Sequence, residues 1–209
     1  MMDAIVLAGG YATRLWPITR DRPKMLLPIG DTTVIGTVLE AIESDDRIDD
    51  VYISTNEKFE SSFESYLAES RFEKPQLSVE ETTRESEKLG VVGALAQLIE
   101  REDVDSDTLI IGGDNLISFD VSEFLDAFEE HGDPMLAAYD VGSYERASSY
   151  GLVELDSDDV VVGFEEKPDE PESTLASIAC YVIPGEMLSL FDQYLDGGNN
   201  PDEPGWFIQ

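Results

Sequence analysis

The sequence has one cysteine and one histidine among its 209 residues. Cys180 therefore has no partner for a disulfide within the chain. A zinc site of cysteine and histidine ligands cannot be built from one of each, and a Ser-His-Asp triad would have to use His131. These absences argue against a disulfide-stabilised fold, a Cys/His zinc site and histidine-based catalysis.

Basic residues are also scarce, because 13 Lys and Arg stand against 46 Asp and Glu and give a formal charge of −33. Nucleic acids and anionic membrane surfaces are bound through clustered Lys and Arg, so we expect neither as a partner. The acidic residues are spread along the chain in pairs such as Asp45-Asp46 and Asp158-Asp159. This spread favours a surface adapted to high salt over a single acidic docking surface for a basic partner.

Long hydrophobic runs are absent as well. The apolar run at residues 4–8 is far too short for a signal peptide or a membrane span, and we expect a cytoplasmic protein. An apolar content of 42% over this length is enough for one sizeable core. We therefore expect a single domain over residues 1–209.

The first half of the sequence alternates short apolar runs with helical stripes. Strands are predicted at residues 3–8, 51–55, 77–79 and 108–111, and helices after Thr33, after Asn56, at 91–100 and at 120–130. Asn56 is predicted to cap the second helix, and Asp120 with Glu123 resembles a capping pair for the fourth. Alternation of this kind predicts an α/β fold, with a Rossmann-like, mostly parallel sheet flanked by helices.

From residue 135 the pattern becomes β-rich. Strands are predicted at residues 135–141, 152–155, 160–165 and 177–183, followed by one helix that carries Leu188, Phe191 and Leu195. We therefore divide the domain into a first half, residues 1–134, and a second half, residues 135–209.

The segment of residues 9–28, called the first loop below, has no periodicity and contains three prolines. Loops of this length in compact domains are usually functional or disordered, and its apolar residues predict a packed, ordered loop. Residues 11–24, the basic segment, hold three arginines and Lys24 against Asp21, a local sum of +3. An anionic ligand would be repelled from most of this protein but not from here; structural neutralisation of nearby acids is the alternative.

Two glycine pairs follow predicted strands. Gly9-Gly10 lets the backbone approach a ligand and offers N–H groups to phosphate, although neither a G-x-G-x-x-G fingerprint nor a P-loop is present. Gly112-Gly113 precedes Asp114 after a later strand. Ligands of open parallel sheets bind beyond the carboxyl ends of the strands, so we expect both pairs to lie at the same edge of the sheet.

Residues 7–28, LAGGYATRLWPITRDRPKMLLP, resemble the signature of the sugar-phosphate nucleotidyltransferases, G-G-x-G-T-R-L-x-P-x-T, a spacer and P-K-x-L-x-P. Ala12 stands where that family has Gly. The segments LGVVGAL (89–95), GGDN (112–115), YGLVE (150–154) and FEEKP (164–168) match the family in order. The resemblance covers nearly the whole chain, leans towards the glucose-1-phosphate thymidylyltransferases and, with the acidity, indicates a haloarchaeal source.

The resemblance implies transfer of a nucleotidyl group from a nucleoside triphosphate to a hexose 1-phosphate, giving a nucleotide-sugar and pyrophosphate. Arg14 would hold the triphosphate, Lys24 would act near the α-phosphate, and Asp114 would bind Mg2+. The segment of residues 80–90 would surround the base and ribose. The implied nucleotide-binding residues are Leu7, Ala8, Gly9, Gly10, Thr13, Arg14 and Gly90, and the implied sugar-phosphate residues are Tyr150, Gly151, Glu166 and Lys167.

Several expectations stay open at this point. The substrates expected first are glucose 1-phosphate with dTTP or UTP; GTP with mannose 1-phosphate, or a non-catalytic relative that binds nucleotide-sugars, are the alternatives. The family places a second metal-binding Asp on a strand beyond the region that ends this sequence, so we expect the natural domain to continue past Gln209. The apolar residues Trp206, Phe207 and Ile208 would then pack against further chain or a partner, such as a second copy in a homo-oligomer.

Overall fold

A computed structural model describes residues 1–87, 89–202 and 207 of the chain. Its strands are β1 (Met2–Leu7), β2 (Pro28–Ile29), β3 (Thr32–Thr33), β4 (Ile48–Asn56), β5 (Pro75–Glu80), β6 (Asp107–Gly112), β7 (Met135–Asp140), β8 (Gly151–Leu155), β9 (Val161–Glu166) and β10 (Leu175–Ile183). Its helices are α1 (Val34–Glu43), α2 (Glu60–Glu69), α3 (Gly90–Arg101), α4 (Val121–His131), α5 (Tyr144–Ala147) and α6 (Leu190–Asp196).

One sheet of eight strands joins both halves of the chain. Its order is β5-β4-β1-β6-β10-β8-β9, and β7 also pairs with β10. Strands β5, β4, β1 and β6 are parallel to one another, whereas β10 is antiparallel to β6, β7 and β8. The predicted α/β class, with a parallel first half and a β-rich second half, is confirmed.

The central strands are apolar on both faces because helices cover both sides of the sheet. Successive side chains of a strand point to opposite faces, so Val6 packs in one core cluster and Ile5 in the other. The first cluster includes residues of α1, α2 and α4, and the second includes residues of α3 and α6. Strands buried on both faces read as the continuous apolar runs seen in the sequence.

Of the two predicted helix caps, Asp120 is confirmed and Asn56 is not, and Thr33 is a further cap. Thr33 accepts a hydrogen bond from the Gly36 N–H at 3.1 Å, and Asp120 accepts one from the Ser122 N–H at 2.9 Å. The prediction that Asn56 caps α2 is wrong, since β4 extends through Asn56 and α2 begins at Glu60 without a side-chain cap. The amide of Asn56 is instead bonded to the first loop.

The first loop is ordered by fewer apolar contacts than its sequence predicts. Met25 and Leu26 are buried, but Leu15, Trp16 and Ile18 are exposed, Ile18 by 66%. Hydrogen bonds and cation–π contacts order the rest of the loop. Lys58 lies over the rings of Trp16 and Phe59, at 5.9 and 4.7 Å from their centroids.

The chain end contacts α6. Phe207 stacks on Phe191 with ring centroids 4.2 Å apart and meets Tyr194 edge-on, so this residue packs within the chain. Trp206 and Ile208 lie outside the described residues. In the described part of the chain, each helix is too short or too polar to cross a membrane.

Candidate functional site

The carboxyl ends of four parallel strands meet at one edge of the sheet. Leu7 of β1 pairs in register with Gly112 of β6, and Asn56 of β4 pairs with Glu80 of β5. The first loop follows β1, and Asp114 follows β6. The segment of residues 80–90 begins at the last residue of β5. As predicted, the glycine pairs therefore lie at a common edge.

The backbone after β1 leaves room beside it. A Cβ atom added at Gly9 or Gly10 would meet nothing within 4 Å, so packing within the protein does not require glycine at either position. Thr13 and Arg14 follow in a short 3-10 turn. Leu7 ends β1, and Ala8 is fully buried with its N–H donating to the Ser54 carbonyl at 2.8 Å, so contact of Leu7 or Ala8 with a nucleotide stays a prediction.

Lys24 of the first loop and Asp114, which follows β6, form an ion pair. The Lys24 Nζ lies 2.6 Å from the Asp114 Oδ2, and both side chains are more than a third exposed. Asp114 does not cap a helix; its carboxylate neutralises the lysine. An anionic ligand that bound Lys24 would compete with Asp114 for it. A metal cation that bound Asp114 would likewise compete with Lys24.

The other cations of the basic segment have no such partner. Among residues 1–87, 89–202 and 207, no carboxylate oxygen lies within 4.0 Å of Arg14, Arg20 or Arg22, although the chain is strongly acidic. Arg20 stacks on Trp16 with 5.4 Å between its guanidinium carbon and the ring centroid. Structural neutralisation of acids thus explains Lys24 but leaves these arginines unexplained.

Sequence reasoning missed three residues that stabilise the first loop, Thr19 within it and Asn56 and Lys58 outside it. Lys58 lies 5.5 Å from the centroid of the Tyr11 ring, and the buried side chains of Thr19 and Asn56 donate to backbone carbonyls of the loop. Thr19 is a fixed position of the signature, so the motif carried a signal for it. Lys58 and Asn56 gave none, since only the pairing of β1 with β4 brings them here.

A buried carboxylate closes the loop after β5. Glu80 is 9% exposed, and its Oε1 accepts hydrogen bonds from the Thr82 hydroxyl at 2.8 Å and from the Leu89 N–H at 3.3 Å. The Tyr11 hydroxyl donates to Thr82 at 3.4 Å, and burial raises the pKa of Tyr11 above its ordinary value. The first loop and the segment of residues 80–90 are thereby linked.

Gly90 packs closely against the backbone of Pro201. Its φ is +79°, and a Cβ atom there would lie 2.5 Å from the backbone of Pro201. The carbonyl of Pro201 accepts a hydrogen bond from the Val92 N–H at 2.9 Å. A close backbone approach therefore accounts for this glycine, and its contact with a nucleotide stays a prediction.

The predicted sugar-phosphate residues cluster at the ends of β8 and β9. Gly151 pairs with Glu166 across the two strands, and the Lys167 N–H donates to the Tyr150 carbonyl at 3.0 Å. The Lys167 ammonium also contacts the Glu166 carboxylate. A Cβ atom at Gly151 would lie 2.8 Å from the Glu166 Oε2, so glycine makes room for this carboxylate.

The topology brings this cluster towards the carboxyl edge of β6. Cys180 of β10 pairs with Ile111, near the end of β6, so the earlier part of β10 extends beyond that edge. Strand β8 pairs with this extension, at Ala176 and Leu152. Because β8 runs antiparallel to β10, its first residue, Gly151, is the one nearest the edge.

Comparison with known proteins decides the family. The model of the nucleotidyl transferase family matches residues 3–203. The chain belongs to this family. The resemblance read from the signature is thus confirmed for this nucleotidyl transferase, and the likeness covers nearly its whole length.

Two relatives of this nucleotidyl transferase differ in name. A protein of Sulfolobus acidocaldarius, provisionally named mannose-1-phosphate guanyltransferase, is 31% identical over 193 residues, which are 92% of this chain and 51% of that protein. The bifunctional protein GlmU of Methanocaldococcus jannaschii is 26% identical over 194 residues, which are 92% of this chain and 42% of that protein. The chain thus spans about half the length of these curated relatives.

A solved structure shares the fold. A Bacillus anthracis protein in complex with sucrose, provisionally named glucose-1-phosphate thymidylyltransferase, matches 100% of this chain and 83% of its own. The TM-score is 0.83 at 24% sequence identity. This likeness supports the α/β architecture of the nucleotidyl transferase described above.

The residues of this chain fit a metal ion that is also held by phosphate groups of a ligand. The described residues contain no group of three or more His, Cys, Asp or Glu side chains that could hold an ion alone. Mg2+ is commonly held by one or two carboxylates together with substrate phosphates and water. Asp114 offers such a carboxylate at the strand end, beside cations suited to phosphate.

Proposed function

We propose that this chain carries the catalytic site of a sugar-1-phosphate nucleotidyltransferase. The proposed reaction joins a nucleoside triphosphate and a hexose 1-phosphate into a nucleotide-sugar and releases pyrophosphate. The observation that carries the proposal is the ion pair of Lys24 with Asp114 near the end of a loop whose arginines have no acidic partner among the described residues. Such a site can neutralise two phosphorylated substrates at once.

Each residue would act by positioning or by neutralising charge. The attacking group is a phosphate oxygen that is already ionised at neutral pH, so no side-chain base is needed. Arg14 would bind the triphosphate through its forked guanidinium and stabilise the departing pyrophosphate. Lys24, released from Asp114, would hold the α-phosphate and the attacking oxygen in line.

Asp114 would hold Mg2+, which supplies positive charge to the phosphate oxygens when it is bound. On the sugar side, Glu166 would accept hydrogen bonds from sugar hydroxyls, and Lys167 would bind the sugar phosphate. The Glu166–Lys167 contact keeps these two groups adjacent. Substrates of this kind are cytoplasmic metabolites, and we place the enzyme in the cytoplasm.

The substrate pair expected first is dTTP or UTP with glucose 1-phosphate. A specific observation favours GTP with mannose 1-phosphate as the second candidate. Glu80 is buried beside the first loop, and an ionised carboxylate can only accept hydrogen bonds. Guanine presents adjacent N1–H and N2–H donors, whereas the N3–H of uracil or thymine lies between two carbonyl oxygens that repel a carboxylate. The name of the Sulfolobus relative agrees with this candidate.

A pyrophosphate-release assay across a matrix of nucleoside triphosphates and sugar 1-phosphates, in high KCl with Mg2+, tests the proposal. We expect turnover with one preferred pair and none without the sugar phosphate. Nucleotide-sugar binding without turnover for every pair, in the full-length protein, would instead support a non-catalytic regulatory relative.

A further inference from the structure

Two buried side chains hold carbonyl groups of the first loop. The Asn56 Nδ2 donates to the Gly9 carbonyl at 2.8 Å, and the Thr19 hydroxyl donates to the Ala12 carbonyl at 2.7 Å. Asn56 is 1% exposed and Thr19 is 0% exposed. Neither side chain can therefore touch a ligand directly; each can act only through the peptide that it binds.

The two contacts also orient the N–H groups of the residues that follow Gly9 and Ala12. In a trans peptide the carbonyl of one residue and the N–H of the next point in opposite directions. A Gly9 carbonyl held inward by Asn56 turns the Gly10 N–H outward, and an Ala12 carbonyl held inward by Thr19 turns the Thr13 N–H outward. Within the described residues, neither of these N–H groups donates to a protein acceptor.

The backbone at the second contact, from Ala12 into the following turn, has the form of an anion-binding nest. Ala12 lies in the left-handed region, with φ 47° and ψ 42°, and the 3-10 turn begins directly after it. Alternation of left- and right-handed residues points successive N–H groups into one concavity. The unpaired Arg14 follows in the same turn.

We propose that Asn56 and Thr19 are positioning residues of the phosphate-binding loop. Each fixes one carbonyl on the protein side and so presents the N–H groups of Gly10 and Thr13 to a polyphosphate. The identity of the natural ligand rests on the proposed function, but binding of a polyphosphate by the loop does not require turnover and is tested separately.

Thr108 supplies a matched control for a purely structural role. It is 0% exposed, and its hydroxyl donates to the Ser106 carbonyl at 2.9 Å. It lies at the start of β6, at the opposite edge of the sheet from the first loop. Removing its hydroxyl deletes the same kind of buried contact without touching the loop.

The experiment compares Thr19→Val, Thr19→Ser, Asn56→Asp and Thr108→Val with the wild-type protein. Isothermal titration calorimetry at fixed KCl, without divalent metal, gives the dissociation constant of inorganic tripolyphosphate, and thermal unfolding gives the melting temperature. Thr19→Val keeps the side-chain shape without the donor, and Asn56→Asp replaces the donor by an acceptor. Both should bind tripolyphosphate about tenfold or more weakly, because N–H bonds to a charged group are lost.

Thr19→Ser keeps the donor and should recover most of the affinity. Thr108→Val should lower the melting temperature about as much as Thr19→Val while binding tripolyphosphate like the wild type. Wild-type affinity in folded Thr19→Val and Asn56→Asp, or no binding by the wild-type protein, would overturn the inference. If Thr19→Val does not fold, Asn56→Asp and Thr19→Ser decide it. Tripolyphosphate binding without turnover in the substrate matrix would count against the proposed function alone.

Discussion

Ala12 departs from the family pattern of Gly at this position, yet it adopts a backbone conformation that favours glycine. Its φ of 47° is in the left-handed region, where a residue with a Cβ costs roughly 1–2 kcal/mol more than glycine. The sequence identified the substitution of Gly by Ala, and the structure shows that the alanine is left-handed. The buried hydrogen bond from Thr19 to the Ala12 carbonyl offsets part of that cost.

At Asp114 we predict that Asp114→Asn abolishes metal-dependent turnover, by about 100-fold or more, because a neutral amide cannot replace a carboxylate ligand. The side chain is partly exposed, and its one hydrogen-bond or ion-pair partner in the described part of the chain is Lys24, so the melting temperature should change little. Pyrophosphate release and thermal unfolding measure the two effects. Asp133→Asn, at an exposed position, is the control; full activity of Asp114→Asn would show that the metal assignment is wrong.

At Glu80 we predict a change of base preference. Glu80→Gln adds an amide donor that can pair with a uracil or thymine carbonyl, so the ratio of kcat/KM for GTP to that for dTTP should fall about tenfold. The neighbouring Glu81→Gln, at an exposed position, should leave the ratio unchanged. A preference that is equal in wild type and Glu80→Gln would remove Glu80 from base recognition.

On the scale of elements, strand β4 is fixed at both ends by side chains of different kinds. At its carboxyl end, Asn56 binds the first loop. At its amino end, Arg47 forms a two-pronged contact with Asp45, at 2.6 and 2.9 Å, and reaches Asp126 of α4 at 2.6 Å. Hydrogen bonds from Arg47 hold the pKa of the buried Asp45 well below its ordinary value.

The Asp45 contact gives a prediction with a defined pH dependence. A carboxylate whose pKa is lowered by folding contributes stability that is fully present above its ordinary pKa, about 4, and is lost progressively as the pH falls through the lowered pKa. Asp45→Asn should therefore lower the free energy of unfolding by about 2 kcal/mol at pH 7 and by a smaller amount at pH 3. Urea unfolding at both pH values checks this, with the exposed neighbour Asp46→Asn as the control. An equal loss at both pH values would contradict it.

On the scale of the whole molecule, two opposite charge patterns coexist. The surface carries most of the −33 charge, whereas the unpaired arginines are concentrated in the basic segment. Lys58 joins them from the turn between β4 and α2 through its contacts with the rings of Tyr11 and Trp16. The field of the protein would thus repel anions over most of the surface and admit them at the site.

The spread of acidic residues predicts that salt stabilises the protein. Self-repulsion of a highly charged chain opposes folding and is screened by ions, and a surface adapted to high salt should gain further stability beyond the screening range. The free energy of unfolding should therefore rise steadily from 0.1 M (about physiological screening) into molar KCl. Urea or thermal unfolding over a KCl series measures it, and a flat response would contradict a halophilic, haloarchaeal origin.

The sequence by itself determined the α/β class and predicted the residue types of the proposed site. Apolar runs buried on both faces set the strands, and the signature placed Arg14, Lys24 and Asp114 by motif. These are properties of local patterning, which a linear sequence records. The sequence also predicted that Asn56 caps a helix, and that prediction was wrong. The side chain of Asn56 binds the Gly9 carbonyl instead, which is 47 residues away in the sequence.

Only the tertiary structure decided which residues meet. The pairing of β1 with β4 brings Asn56 and Lys58 to the first loop, and the pairing of β1 with β6 brings Asp114 to Lys24. Hydrogen bonds and ion pairs act over a few ångströms, whereas Lys24 and Asp114 are 90 residues apart along the chain. The register of the sheet is set by the packing of many apolar side chains. It brings residues that are distant in the sequence within hydrogen-bonding distance.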